Sequence, residues 1–130
     1  MYVVFVYGSL RKGMGNHILL RNSEFIHNDI MMYPGIMVSM GAFPAVVKTN
    51  DDIRQIRGEL YSVDEEIMTR LDQLEGYPSF YNREQRQTKS DVLAWIYYIE
   101  NNSYGSKRRD IVDNGDWLQH RSGGNAISRN

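Results

Sequence analysis

Two short stretches carry residue types that can do chemistry: Tyr7-Gly8-Ser9-Leu10 within "VYGSLRKGMGNH", and Glu75 within "LDQLEGYPSFYNR". Gly8 and Gly13 have the spacing of the two glycines of a nucleotide-binding P-loop, but Met14 and Gly15 stand where that loop needs Lys and Ser or Thr. Without the lysine nothing reaches the outer phosphates, and without the hydroxyl there is no magnesium ligand. The nucleotide reading fails on chemistry. Two readings remain for the stretch: a plain turn after a strand, or a run of backbone N–H groups that forms a nest for a small anion or a carbonyl oxygen. Glu75 directly precedes Gly76 and falls in the last turn of a helix. A carboxylate there faces the partial negative charge of the helix C-terminus, which disfavours ionisation. It is either a solvated acid without a role or a base tuned toward neutrality.

The elements that must position these groups are mostly strands. Tyr2 to Tyr7 is apolar throughout, as a strand covered on both faces requires. Asn16 to Leu20 reads as a short helix capped by Asn16. Tyr33-Pro34-Gly35 and Ala42-Phe43-Pro44 punctuate strands at Ile36 to Met40 and Ala45 to Lys48, and "IRGELYSV", Ile56 to Val63, alternates as a strand does. The clearest helix is "SVDEEIMTRLDQLEG". Ser62 and Glu65 form a capping-box pattern, Ile67, Met68, Leu71 and Leu74 recur at helical spacing, and Gly76 is placed for a left-handed C-terminal cap. Asn82 to Gln87 and "VLAWIYYI", Val92 to Ile99, form a hairpin through Lys89-Ser90-Asp91. The expected result is an α+β fold, a small mixed β-barrel of about six strands with one main helix. Residues 1–120 form one domain and residues 121–130 a polar, loose tail.

Composition bounds the function. The chain of 130 residues is 42% hydrophobic and 24% charged, as expected of one soluble globular domain. Fifteen basic against sixteen acidic residues leave a net charge of -1, which argues against a nucleic-acid partner. No cysteine is present, so disulfides and thiolate catalysis are excluded. The N-terminus lacks the pattern of a signal peptide, and no apolar run reaches the length of a membrane span. A cytoplasmic protein without membrane contact is expected, as a monomer or weak homodimer.

Taken together and in order, "VYGSLRKGMGNH", "GELYSVDEE", "LDQLEGYPSFYNR", "AWIYYI" and "GDW" resemble the gamma-glutamylcyclotransferase-like family, in particular its gamma-glutamylamine cyclotransferase branch. The resemblance spans about residues 3 to 117. It implies a cavity between the Tyr-Gly-Ser-Leu loop and the glutamate. In it, the backbone of Tyr7, Gly8, Ser9 and Leu10 holds a γ-glutamyl moiety, and Glu75 acts as acid and base. Ser9 replaces the Thr frequent in close relatives and keeps the hydroxyl. The implied reaction is attack of the substrate's own α-amine on its γ-carbonyl, giving pyroglutamate (5-oxoproline) and a free amine. The nucleophile is intramolecular, so no Ser, Cys or Lys nucleophile, metal or organic cofactor is needed. The alternative on the same fold is a non-catalytic small-molecule binding module.

Several further residues have two readings. Gly8 is expected to resist side chains because substrate approaches its backbone closely. His17 is expected to hold the loop, since no second ligand stands at metal-binding spacing. Arg83 is a candidate partner for a substrate carboxylate, an internal ion pair being the other reading. Either Tyr97 or Tyr98 lines the cavity. The Lys107-Arg108-Arg109 run reads as a solvated loop that leaves an anionic partner open.

Overall fold

The protein is described by a computed structural model covering residues 1–100 and 111–128. The Lys107–Arg109 cluster and the last two positions lie outside the described residues. Strand β1 is Tyr2–Val6, β2 Glu24–Ser39, β3 Pro44–Val63, β4 Asn82–Gln87 and β5 Leu93–Tyr98; helix α1 is Glu65–Glu75 and α2 Trp117–Ser128, with a 3₁₀ turn at His17–Leu20. The strands form one mixed sheet in the order β2-β3-β1-β5-β4. β1 is central, antiparallel to β3 and parallel to β5. Side chains of successive strand residues point to opposite faces. Val4 and Val6 therefore pack with Val63, Ile67, Met68 and Leu71 on the α1 side. Phe5 joins Tyr33, Ile56, Leu60, Ile96 and Trp117 on the other. A strand apolar at every position is what two covered faces demand.

β3 is broken in register. Gly35 pairs with Lys48 but Pro34 with Ile53, so residues 49–52 are an insertion that divides it into two segments. Counting these two halves apart gives the six strand segments expected. The first half swings toward the end of β5, where Lys48 N–H donates to the Ile99 carbonyl (2.9 Å) and Ile99 N–H to the Val46 carbonyl (2.8 Å). That curl does not become a barrel. Contact there amounts to the single bridge Val47–Ile99, and β2 and β4 remain the ends of the strand order. The expected closed barrel is thus corrected to a curled, open sheet.

Helix α1 begins two residues later than the capping-box pattern suggests. β3 pairs through Val63, so Ser62 is committed to the sheet, and Asp64 is the N-cap, its Oδ1 accepting from Ile67 N–H at 2.8 Å. The C-terminus is as expected: Gly76 has φ 68°, and its N–H returns to the Asp72 and Gln73 carbonyls. This cap turns the chain sharply after Glu75 and fixes where its side chain leaves the helix. The β4–β5 hairpin turns at Lys89–Asp91 as the sequence indicates. Helix α2 crosses position 120, where the sequence reading starts a polar tail, and its Trp117 is buried in the core.

Candidate functional site

The loop after β1 and the end of α1 meet in one cavity of about 290 Å³, at the small end of the range for ligand pockets. Tyr7, Gly8, Ser9 and Leu10 line it from one side and Glu75 from the other. Asn16, Phe43, Pro44, Leu74, Phe80, Tyr81 and Tyr97 complete most of the wall.

The loop is held by its own polar groups. Gly8 and Ser9 carbonyls accept from Arg11 and Asn16 N–H at 3.0 Å each. The Asn16 side-chain amide donates to Ser9 Oγ at 2.9 Å, leaving the serine hydrogen free to donate. Asn16 therefore serves the loop and does not cap the turn that follows it. His17 Nδ1 meets the Leu10 carbonyl at 2.9 Å, the loop-holding role expected of it. Behind the loop, buried Arg11 pairs through Nε with Glu59 Oε2 at 3.0 Å and through NH1 with Asp116 Oδ1 at 3.2 Å. Glu59 is itself saturated, its Oε1 accepting from Lys12 N–H and the Tyr61 hydroxyl at 2.9 Å each. The loop is thus clamped onto β3, while the N–H groups of Gly8, Ser9 and Leu10 donate to no other described residue. Three successive donors with no partner among the described residues form a ready site for a carboxylate or carbonyl oxygen as acceptor.

Gly8 is tight for a reason that sequence does not reveal. A Cβ there would come within 2.8 Å of Pro44 Cγ and Cδ. The close neighbour is a protein ring, and that ring is itself part of the cavity wall.

Glu75 lines the cavity with this loop, and among the described residues no cation pairs with it. Burial pushes its carboxyl from the ordinary 4.5 up to about 7. The negative end of α1 acts in the same direction, but loss of water is the dominant cause. Three phenols share the cavity, and each has its single proton committed elsewhere. Tyr7 donates to the Tyr97 carbonyl (2.8 Å), Tyr81 to the Pro44 carbonyl (3.0 Å) and Tyr97 to Asp72 Oδ1 (2.7 Å). Burial raises all three phenols above their ordinary value, so they stay neutral. Tyr81 N–H donates to the Glu75 backbone carbonyl (3.3 Å), but no described residue donates a hydrogen bond to the Glu75 carboxylate, so its anion has nothing to set against the lost water.

Of the two tyrosines on β5, Tyr97 lines the cavity and Tyr98 does not; Tyr98 lies under Lys48 Nζ, 5.1 Å from its ring centroid. Arg83 does not line the cavity. Its guanidinium is bidentate to Asp72 (Nε–Oδ1 2.9 Å, NH2–Oδ2 3.2 Å) and lies over the Tyr77 and Trp95 rings. The internal ion pair is the reading that holds, because Asp72 takes both arms of the fork. Pro44, Phe43 and Phe80 were read only as turn or flanking residues. Their sole signal was proximity to Gly and Pro punctuation. Among the described residues no cluster of three or more His, Asp or Glu is placed to hold a metal ion, and no helix is long and apolar enough to cross a membrane.

Residues 4–119 match the family described as "Gamma-glutamyl cyclotransferase, AIG2-like". A candidate gamma-glutamylcyclotransferase of Methanocaldococcus jannaschii is 37% identical across 93% of this chain and 99% of its own. A gamma-glutamylcyclotransferase family protein of Escherichia coli K12 is 31% identical across 88% of this chain and 95% of its own. The crystal structure of YkqA from Bacillus subtilis superposes with TM-score 0.78 at 28% identity, covering 96% of this chain and 42% of that one. The chain belongs to the gamma-glutamyl cyclotransferase, AIG2-like family.

Proposed function

We propose that the protein is a gamma-glutamyl(amine) cyclotransferase that converts a γ-glutamyl amide to pyroglutamate and a free amine, with Glu75 as general acid and base. One observation carries this reading: among the described residues, a single carboxylate, poised near neutrality by burial, shares a small cavity with three backbone N–H groups that have no partner. The donors of Gly8, Ser9 and Leu10 suit an oxygen of the glutamyl moiety, with the Ser9 hydroxyl as a further donor. Holding that moiety folded brings the α-amine against the γ-carbonyl carbon, which makes the attack unimolecular.

The α-amine, bound neutral, forms the new C–N bond. Its nitrogen sheds one proton to the Glu75 carboxylate. Glu75 then returns that proton to the leaving nitrogen as the original amide C–N bond breaks, so the amine departs neutral and the carboxylate is restored. A carboxyl titrating near 7 can perform both steps, because neither protonation state is far from populated at neutral pH. The locked phenols keep water and stray protons away from the ring-closing atoms. The experiment is to incubate the protein with γ-glutamyl amines and γ-glutamyl dipeptides and to assay for pyroglutamate. Product from at least one member is expected; none from any member would refute the enzymatic reading and leave a binding module.

A further inference from the structure

The mouth of the cavity is apolar, and that asymmetry bears on which amine leaves. Phe43, Leu74 and Phe80 line the cavity while remaining 36%, 41% and 43% exposed. Exposed apolar side chains that line one cavity together, unlike ones scattered singly, suit an apolar ligand. They are also held in position. Phe43 is fixed by its carbonyl accepting from Met40 N–H (2.8 Å), which closes the turn before β3. Phe80 is fixed by its N–H donating to the Gly76 carbonyl (2.7 Å) and by an edge contact with the Tyr81 ring at 4.9 Å. Leu74 is fixed by α1 itself. The rim is therefore a preformed apolar surface and costs little further ordering when a ligand covers it.

The chemistry decides which part of a substrate reaches this rim. If Gly8–Leu10 hold the polar end of the glutamyl unit and Glu75 returns a proton to the leaving nitrogen, that nitrogen lies at Glu75. Its substituent then projects away from the loop, past the neighbours of Glu75 at the cavity mouth. Those neighbours are Leu74 and Phe80, and Phe43 lines the same cavity. Among the described residues, Glu75 is the one charged side chain lining the cavity. A second carboxylate on the substituent would meet apolar carbon and the Glu75 charge, with no cation to compensate desolvation.

Resting on the cyclotransferase reading, we infer that the substrates are γ-glutamyl amides of amines with an apolar, uncharged substituent, and that Phe43, Leu74 and Phe80 select it. The test is a homologous series: γ-glutamyl-methylamide, -ethylamide, -propylamide and -butylamide, with γ-glutamylglycine as the carboxylate-bearing comparison. Pyroglutamate release gives kcat/KM for each. Burial of each methylene against the rim should raise kcat/KM about two- to fourfold, so the butyl-to-methyl ratio should be on the order of tenfold or more. γ-Glutamylglycine should fall below the ethylamide. In Phe43→Ser and in Phe80→Ser that ratio should collapse toward one, as measured on protein whose fold is checked by circular dichroism. A flat series, or γ-glutamylglycine as the best substrate, would overturn the apolar-substituent inference while leaving the cyclotransferase reading standing. Pyroglutamate from no member would instead refute the cyclotransferase reading, and the inference with it.

Discussion

A base held in an unfavourable environment should weaken the fold that holds it, and this can be measured without any substrate. Replacing Glu75 by Gln keeps the size of the side chain and removes its charge. The carboxyl titrates at about 7 in the folded chain against an ordinary 4.5, so the folded state binds this proton more tightly than the unfolded state. The resulting stability is fully present below about pH 4.5 and is lost as pH rises through about 7. The full loss corresponds to about 3 kcal/mol, at 1.36 kcal/mol for each tenfold change in proton affinity. That is an upper value, because the carboxylate keeps some contact with water. Glu75→Gln should therefore match the wild type near pH 4.5 and exceed it by roughly 1–3 kcal/mol near pH 8, or up to roughly 10 °C in Tm for a domain of this size. Urea unfolding at the two pH values measures it, with an unchanged m-value confirming the same fold. Equal stability at both pH values would refute the buried-carboxylate account, and a variant weaker than wild type at the higher pH would show that the charge is paired.

Three other outcomes are expected. The wild-type kcat/KM should fall on the acid side with an apparent pKa near 7, and a pH–rate profile shows it, since protonated Glu75 cannot accept the amine proton. Arg11→Met strands the Glu59 carboxylate, which is 4% exposed, and should cost about 3–5 kcal/mol in urea unfolding; Arg11→Met with Glu59→Met should lose less than the single change. Gly8→Ala forces the Pro44 ring aside from 2.8 Å, should destabilise by about 1–3 kcal/mol, and should raise KM for the best γ-glutamyl amide. A KM unchanged in Gly8→Ala would show that the loop–Pro44 contact does not shape the site.

What the sequence made legible was local. The apolar run of β1, the periodicity and Gly76 cap of α1, and the β4–β5 hairpin around Lys89-Ser90-Asp91 each follow from neighbours in the chain, and each is where the residues indicate. The first half of β2 was missed because "SEFIHNDIMM" alternates poorly. It lies at an edge of the sheet, where burial imposes no strict pattern. Helix α2 was missed because Gly123-Gly124 reads as a break, while the packing of Trp117 into the core cannot be read from its neighbours. At the site, the loop and Glu75 were each visible as local oddities. The cause of the carboxyl's raised pKa was not, because the helix end is a sequence property and burial a tertiary one. The same holds for Arg83. Nothing within "YPSFYNRE" reveals that Asp72, a helical turn before Glu75, takes its guanidinium and the Tyr97 hydroxyl together.

The most direct test of the central claim compares wild type and Glu75→Gln on the same γ-glutamyl amide near pH 8, counting pyroglutamate released per protein molecule. The wild type should turn over repeatedly, and Glu75→Gln should fall by about 10²- to 10⁴-fold, the span of general acid–base catalysis, while folding at least as stably. Comparable turnover by the folded variant would contradict the account, because the reaction would then proceed without the one carboxylate among the described residues that lines the cavity.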